Sequence, residues 1–232
     1  MKCMLLVRTV KKGASAILLS VFSMTLAHAQ SLGSGDIVAG LKQALSQGVQ
    51  KSTSKLSAAD GFFKDAAVKI LFPPEAQKVE KTLRSAGFGK QCDETILQIN
   101  RAAEDASKSA AAIFMTAITN MSVQDGVGIL KGPDTAATAY LRKATVAQLT
   151  AAFLPIIQNS LQKTGATSSW KSVFDTYNKV PFTKKVNSDL PAYATAKALD
   201  GIFYYVAQEE QAIRKNPAAQ ASDLLKKVFG GL

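Results

Sequence analysis

The chain has 232 residues, a formal net charge of +11, one histidine (His28) and two cysteines (Cys3 and Cys92). His28 and Cys3 lie in a segment that is predicted to be removed, so the mature protein should have no imidazole and one thiol. This composition excludes Ser-His-Asp and Cys-His catalytic arrangements, histidine-based zinc sites and internal disulfides.

Residues 1–29 have the pattern of a secretory signal peptide that is cleaved after Ala29. Four basic residues precede an apolar run from Ala14 to Leu26, and residues 27–29 are Ala-His-Ala, an A-x-A cleavage site. The run is shorter than the roughly 20 apolar residues that span a bilayer. We therefore predict export to the periplasm, with no transmembrane segment in the mature chain.

The predicted mature chain stays positively charged. Taking the four basic residues of the leader from 28 Lys and Arg leaves 24, against 17 Asp and Glu, a net charge of +7. Such an excess is compatible with an anionic envelope surface as a partner. The basic residues are spread along the chain and not clustered, so we favour solubility as the explanation of the excess. No basic helix and no recognition motif indicates nucleic-acid binding.

The first part of the mature chain is predicted to be helical with one interruption. Residues 30–35 should form a short flexible N-terminus, and apolar residues spaced by three and four predict a helix over 36–56. A short extended segment is expected near residues 67–73, because the tandem proline at its end prevents a helix from continuing up to it. A helix with proline in its first turn and glycine at its end is expected over 74–87.

The middle of the chain is predicted to form three helical segments. Residues 90–121 have high helix propensity, with a break near 107–109. Ser122 should cap the next helix, which ends before Gly132. A longer helical segment over 133–165 carries a stripe of apolar residues at helical spacing.

The ends and the interior of the long segment, and the elements that follow it, can also be predicted. Asp134 or Thr135 should cap the segment that follows them, and Pro155 should kink that segment or mark a boundary in it. A short helix near 169–177 holds the single tryptophan, and residues 180–191 form a polar loop. Helices are also expected at 199–217 and in the terminal SDLLKKVFGGL. No alternating hairpin pattern appears, so α/β and all-β architectures are poorly supported.

These elements predict an all-α fold. We expect a single-domain multi-helix bundle over residues 36–232, with one short extended segment near 67–73. The longest apolar runs, AAAIFMTAI and LTAAFLPII, are too short to cross a bilayer and suit a packed core.

Polar residues concentrate in the stretch LDGIFYYVAQEEQAIRKNP. At about 100° per residue, Glu209 and Glu210 fall on the two borders of an apolar helical stripe, where a carboxylate needs a partner. Arg214, four residues after Glu210, predicts an ion pair with it. For Glu209 the candidates are Arg101 and Arg142, and the hypothesis is a network of Arg101, Glu104 and Glu209.

Such a cluster has a structural and a catalytic interpretation. Glu104, Asp200, Glu209 and Glu210 could supply a general acid and base for hydrolysis. Adjacent helical residues diverge by about 100°, however, and ion networks gather the same residue types, so we favour the structural interpretation. Tyr204 and Tyr205 fit core packing or, alternatively, an apolar ligand cavity. No motif indicates a metal or a cofactor, and the reactivity of Cys92 stays open.

Six strings in the chain carry a family resemblance: LFPP, INRAAEDA, DGVGILKG, DTAATAYLRKAT, AKALDGIFYYVAQEEQAIRKNP and SDLLKKVFG. Together, and in this order, they resemble the secreted bacterial family called domain of unknown function 4197, over roughly residues 36–230. The resemblance implies a helical, exported protein of Gram-negative-type bacteria, and it supplies no catalytic residue.

Taken together, we expect an exported, non-catalytic binding or envelope-associated module for an apolar ligand, a lipid or a protein partner. The alternative is a carboxylate-based hydrolase that works without histidine or metal. The candidate polar cluster comprises Arg101, Glu104, Arg142, Asp200, Glu209, Glu210 and Arg214.

Overall fold

The computed structural model describes residues 33–179, 181, 185, 186 and 188–216. Within this part of the chain the only regular elements are helices, so the predicted all-α multi-helix fold is confirmed. The α-helices are α1 Ser34–Ser57, α2 Gln77–Leu83, α3 Gly89–Ser107, α4 Ala110–Thr119, α5 Val123–Lys131, α6 Ala136–Lys163, α7 Ala166–Tyr177 and α8 Leu190–Lys215.

Local sequence signals set several helix ends. Ser122 Oγ accepts from the N–H of Asp125, and the Asp125 carboxylate accepts from the N–H of Ser122, which is a complete capping box at the start of α5. Gly132 follows the end of α5, as predicted. Gly87 adopts a φ of +92° in a π-helical turn between α2 and α3, a conformation that glycine adopts without strain.

Helix α6 continues through Pro155, so the predicted segment has no boundary there. Proline lacks the N–H that would bond to the carbonyl four residues earlier, which belongs to Ala151. Both Pro155 and Ala151 are exposed, and water can therefore donate to that carbonyl. The lost hydrogen bond lies on the solvent side of the helix, where it costs least.

The core lies between α1, α3, α6 and α8. Helix α8 contacts the other three, and α3 contacts both α1 and α6. The rings of Phe114 and Phe203 meet edge to face with centroids 5.5 Å apart, a favoured aromatic geometry. Large side chains at the centre have almost no exposure: Phe62, Phe114, Phe153, Phe174, Phe203, Leu41, Leu56 and Ile99.

The predicted extended segment near 67–73 is shorter than expected, because residues 66–68 form a turn in which the N–H of Val68 bonds to the C=O of Asp65. From Lys69 to Pro73 the chain is neither helix nor turn; Ile70 and Phe72 are buried and Leu71 is exposed, which is the two-residue alternation of a strand. The turns before this segment pack closely on α8 at Gly201, because a Cβ there would lie 2.6 Å from the Phe62 ring and 3.3 Å from Val68 Cβ.

A side chain takes the place of a neighbouring strand along this segment. The Asn100 amide accepts from the N–H of Ile70 and donates to its C=O, both at 2.8 Å. Tyr193 Oη donates to the C=O of Leu71 at 2.7 Å. Burial raises the pKa of Tyr193 to about 12, with a smaller effect of the Glu75 charge, so this phenol keeps its donor proton at neutral pH.

Some predictions fall outside the described residues. The signal peptide over 1–29, residues 30–32 and the terminal SDLLKKVFGGL lie there, as do residues 180, 182–184 and 187 of the predicted polar loop. Helix α1 begins at Ser34, within the predicted flexible N-terminus. Across the part of the chain that is described, no helix combines the length and apolar content needed to cross a membrane.

Candidate functional site

Arg101 and Glu104 form a pair on α3, with Asp60 as a third member. The Arg101 guanidinium donates to Glu104 Oε2 and to Asp60 Oδ1, each at 2.6 Å. The other oxygen of the buried Glu104 accepts from the N–H groups of Phe62 and Phe63, both at 3.1 Å. The cluster therefore holds the turn before the extended segment against α3.

Glu210 and Arg214 form the second predicted pair, with Nη2 to Oε1 at 3.1 Å and with 4% and 12% of their side chains exposed. The carboxylate also accepts from the N–H of Ala137 at 2.9 Å and from the N–H and hydroxyl of Thr138 at 2.8 Å. The two N–H groups belong to the first turn of α6, where the helix itself supplies no acceptor. Glu210 thus caps a helix from another part of the chain.

The predicted local cap of α6 is replaced by this long-range one. Thr135 occupies the N-cap position, but its side chain makes no capping hydrogen bond. Its φ and ψ of −122° and 17° differ from the extended conformation typical of a capping residue. Glu210 satisfies the amides that Asp134 or Thr135 was expected to serve.

The predicted network that contains Glu209 is wrong. Glu209 pairs with Lys51 of α1 at 2.8 Å, and the Lys51 side chain is 71% exposed. Neighbouring helical residues point about 100° apart, so Glu209 turns toward α1 while Glu210 turns toward α6. Arg101 is therefore not its partner.

Arg142 and Asp200 form a separate, solvated pair at 3.4 Å. The Arg142 guanidinium also lies 4.3 Å from the centroid of the Phe203 ring, a cation–π contact. Lys197 approaches Asp200 at 3.6 Å. Arg142, the other candidate partner of Glu209, thus lies with Asp200, and the seven predicted residues form four separate groups.

A further polar cluster, which the sequence did not indicate, joins α1, the turn before the extended segment, and α8. Lys55 Nζ lies 2.9 Å from Asp65 Oδ2 and 2.6 Å from Tyr205 Oη, and Tyr205 Oη donates to Asp65. The hydrogen bond from Tyr205 and then that from Lys55 hold the pKa of Asp65 below its ordinary value. Tyr205 therefore takes part in a hydrogen-bonded cluster that links α8 to α1.

We expect the free energy of unfolding of Asp65→Asn to decrease less than that of the unmodified protein as the pH is lowered. An ionised Asp65 contributes stability that is fully present above the unfolded carboxyl pKa of about 3.9 and is lost as the pH falls through the lower folded pKa. The measurement is the free energy of unfolding by urea between about pH 5 and pH 2. Tyr205→Phe should flatten the curve in part, and an unchanged slope in Asp65→Asn would contradict the assignment.

The two buried carboxylates have little capacity for chemistry. Glu210 borders a cleft of only about 10 Å³, and Glu104 and Glu210 accept hydrogen bonds from main-chain amides. A substrate could reach either carboxylate only if those amide donors were released. Among the described residues, no group of three or more His, Cys, Asp and Glu is arranged to hold a metal ion.

An apolar cleft, here called the Phe88 groove, opens between the turn that links α2 and α3 on one side and α7 on the other. Its volume is about 330 Å³. Apolar side chains dominate its lining: Phe72, Leu83, Phe88, Cys92, Trp170, Val173 and Phe174. Gln91, Thr95 and Ser169 are the polar lining residues. The groove therefore offers an apolar interior with a few polar groups.

Aromatic stacking and an ion pair shape the walls of the Phe88 groove. Trp170 stacks on Phe72 with centroids 5.1 Å apart and meets Phe174 at 4.4 Å. On the opposite side, Arg84 pairs with Asp93 at 2.8 Å across the turn that carries Phe88. Phe88 itself is 49% exposed, although the rest of the aromatic wall is buried.

Cys92 lies in the lining of the Phe88 groove but is buried. Burial raises the pKa of its thiol, and the nearby Arg84 only partly opposes this effect. The thiol form therefore dominates at neutral pH, where a reactive cysteine would need the thiolate.

The two aromatic residues on opposite sides of the Phe88 groove are visible in the sequence, but they lie in distant segments. Phe88 directly follows the glycine that ends the α2 segment, and Trp170 was placed on a short helix. Nothing in the local spacing of either segment indicates that the two lie side by side.

Comparison with known proteins yields one match. The family model described as a protein of unknown function, DUF4197, matches residues 31–230. No curated protein and no solved structure matches the chain.

Proposed function

We propose that this chain, which belongs to the DUF4197 family of proteins of unknown function, is an exported binding protein that holds an acyl chain in the Phe88 groove. The observation that carries the proposal is the half-exposed Phe88 beside a buried aromatic wall. An exposed apolar residue at the mouth of an apolar cleft marks a place where a ligand can remove apolar surface from water.

The dimensions and chemistry of the groove support a small amphiphile. Its volume of about 330 Å³ lies near the lower end of the roughly 300–1,000 Å³ that is common for small-molecule sites. Gln91, Thr95 and Ser169 can hydrogen-bond a polar head group while the chain lies against the rings. The net charge of +7 that remains after removal of the predicted leader favours an anionic head group.

The hydrolase alternative has less support. Glu104 and Glu210 serve main-chain amides, and Glu209 is paired with a lysine. Asp200, which is 55% exposed, lies with two cations, Arg142 at 3.4 Å and Lys197 at 3.6 Å. A general acid and base pair needs two carboxylates across one bond. We therefore favour binding over hydrolysis.

Titration with dodecanoate tests the proposal, because Trp170 is the only tryptophan of the chain and lines the groove. The ring is buried, and we expect a saturable change in tryptophan emission as the acyl chain replaces water beside the residues that enclose it. Phe88→Ala should weaken binding about fivefold or more, which corresponds to roughly 1 kcal/mol of apolar contact.

Val123→Ala is the matched control, since Val123 is also an exposed apolar residue but belongs to α5. It should leave the affinity for dodecanoate unchanged. An emission change that does not saturate, or equal weakening by Phe88→Ala and Val123→Ala, would reject the groove as the site. Lipid analysis of the protein purified from the periplasm tests export and the natural ligand together.

A further inference from the structure

One hydrogen-bonding edge of residues 69–71 is half open: on it, the N–H of Lys69 and the C=O of Leu71 bond to Asp65 and Tyr193, and the two groups between them are unpaired among the described residues. Successive residues of an extended chain point their N–H and C=O groups to opposite edges. Ile70 uses one edge, where both its groups bond to Asn100. On the other edge, the C=O of Lys69 and the N–H of Leu71 have no hydrogen-bond partner among the residues that the structure describes. A partly unpaired edge of this kind is a template for an added strand.

This half-open edge borders a second cleft, here called the edge cleft, between residues 67–71 and α8. Its volume is about 380 Å³. Lys69 and Leu71, which carry the two unpaired main-chain groups, both line the cleft. Leu71 and Tyr204, which are 52% and 43% exposed, flank the cleft and offer apolar contact to side chains of an added strand.

Positive charge exceeds negative charge along the edge cleft. Lys69 and Lys197 line it with one carboxylate, Asp200. Asp200 already faces two cations, Lys197 at 3.6 Å and Arg142 at 3.4 Å. The Lys69 ammonium lies over the Phe63 ring at 4.2 Å and has no carboxylate within 4.0 Å in the described part of the chain. The cleft therefore favours an acidic ligand.

We propose that the edge cleft binds an acidic segment of a partner protein in an extended conformation, as a strand added alongside residues 69–71. Main-chain hydrogen bonds supply affinity in this mode of recognition, and alternate side chains supply specificity. Glutamate or aspartate side chains of the segment would face Lys69 and Lys197. Apolar side chains would contact Leu71 and Tyr204.

The available groups also set the direction of the added strand. A partner residue opposite Ile70 can donate its N–H to the C=O of Lys69 and accept from the N–H of Leu71, which is the pattern of a parallel pair. In an antiparallel pair, one residue of the segment, Lys69 or Leu71, would have to use both its N–H and its C=O for the added strand. The N–H of Lys69 already bonds to the C=O of Asp65, and the C=O of Leu71 accepts from Tyr193.

The test uses the full chain, expressed with its leader, and an acetylated, amidated octapeptide of alternating valine and glutamate. We expect saturable binding by fluorescence anisotropy and a shift of the Leu71 amide signal in the NMR spectrum. The same peptide with every main-chain amide methylated keeps its charge but cannot donate. It should bind at least about tenfold more weakly, as expected when main-chain hydrogen bonds are lost.

Two variants of Leu71 distinguish the contribution of its main-chain N–H to peptide binding from that of its side chain. Leu71→Pro removes the N–H and suits an extended conformation, whereas Leu71→Ala keeps the N–H and removes the apolar side chain. The first should weaken binding at least about tenfold and the second much less. Lys197→Glu should weaken binding of the glutamate peptide and strengthen binding of a valine–lysine peptide.

Three results would overturn the proposal. They are equal affinity for the methylated peptide, unchanged affinity in a folded Leu71→Pro variant, and binding of polyphosphate as tight as that of the peptide. The last would show charge attraction without strand pairing. If Leu71→Pro fails to fold, the methylated peptide decides the outcome on the native chain.

Discussion

Replacement of Glu210 by alanine should lower the free energy of unfolding by about 3–5 kcal/mol, the cost of removing one partner from a buried ion pair. Arg214 would keep its hydrogen bond to the C=O of Ile129 but lose its carboxylate in a site where 12% of its side chain is exposed. The amides of Ala137 and Thr138 would lose their acceptor as well. Urea unfolding at pH 7 measures the change.

The neighbouring carboxylate provides the control for this prediction. Glu209→Ala breaks only the pair with the exposed Lys51, and such pairs contribute about 0–1 kcal/mol. Glu210→Gln keeps one oxygen acceptor and should fall between the two alanine variants. Equal losses in Glu209→Ala and Glu210→Ala would show that Glu210 does not act as the cap of α6.

Replacement of Asn100 by alanine should cost more than about 2 kcal/mol, because two buried main-chain groups lose their partner and each costs about 1–3 kcal/mol. Those groups are the N–H and C=O of Ile70, which Asn100 bonds from α3. The free energy of unfolding in urea measures the loss.

An exposed residue of the same helix, Glu94, supplies the comparison for Asn100. Glu94→Ala should change stability by no more than about 0.5 kcal/mol. Hydrogen exchange adds a local measurement, since the Ile70 amide should lose protection in Asn100→Ala before the amides of α6 do. A protected Ile70 amide in that variant would show that another group, or water, replaces Asn100.

Local signals explain why the helices and the extended segment could be predicted. The cap at Ser122, the glycine at position 87 and the tandem proline at positions 73 and 74 are all properties of a few adjacent residues. The ion pair of Glu210 with Arg214 is likewise local, because one helical turn separates the two residues.

Contacts between distant segments could not be predicted in the same way. Lys51 is 158 residues from Glu209 and is exposed, so nothing in the periodicity of either helix connects them. Threonine is a common N-cap residue, so the sequence favoured Thr135 as the cap of α6. Only the structure shows that its main-chain conformation is not that of a capping residue and that its side chain makes no capping hydrogen bond. The Phe88 groove also needed the relative placement of α3 and α7.

The cap that Glu210 supplies has a consequence for how the protein is made. It links α8 to the first turn of α6 across 72 and 73 residues, and α8 also packs on α1 and α3. A chain that emerges from its amino end cannot form this cap until α8 has been synthesised, and until then water must bond to these amides. Chains that end before Glu210 should therefore lack a contact that joins α6 to α8, two of the helices that enclose the core.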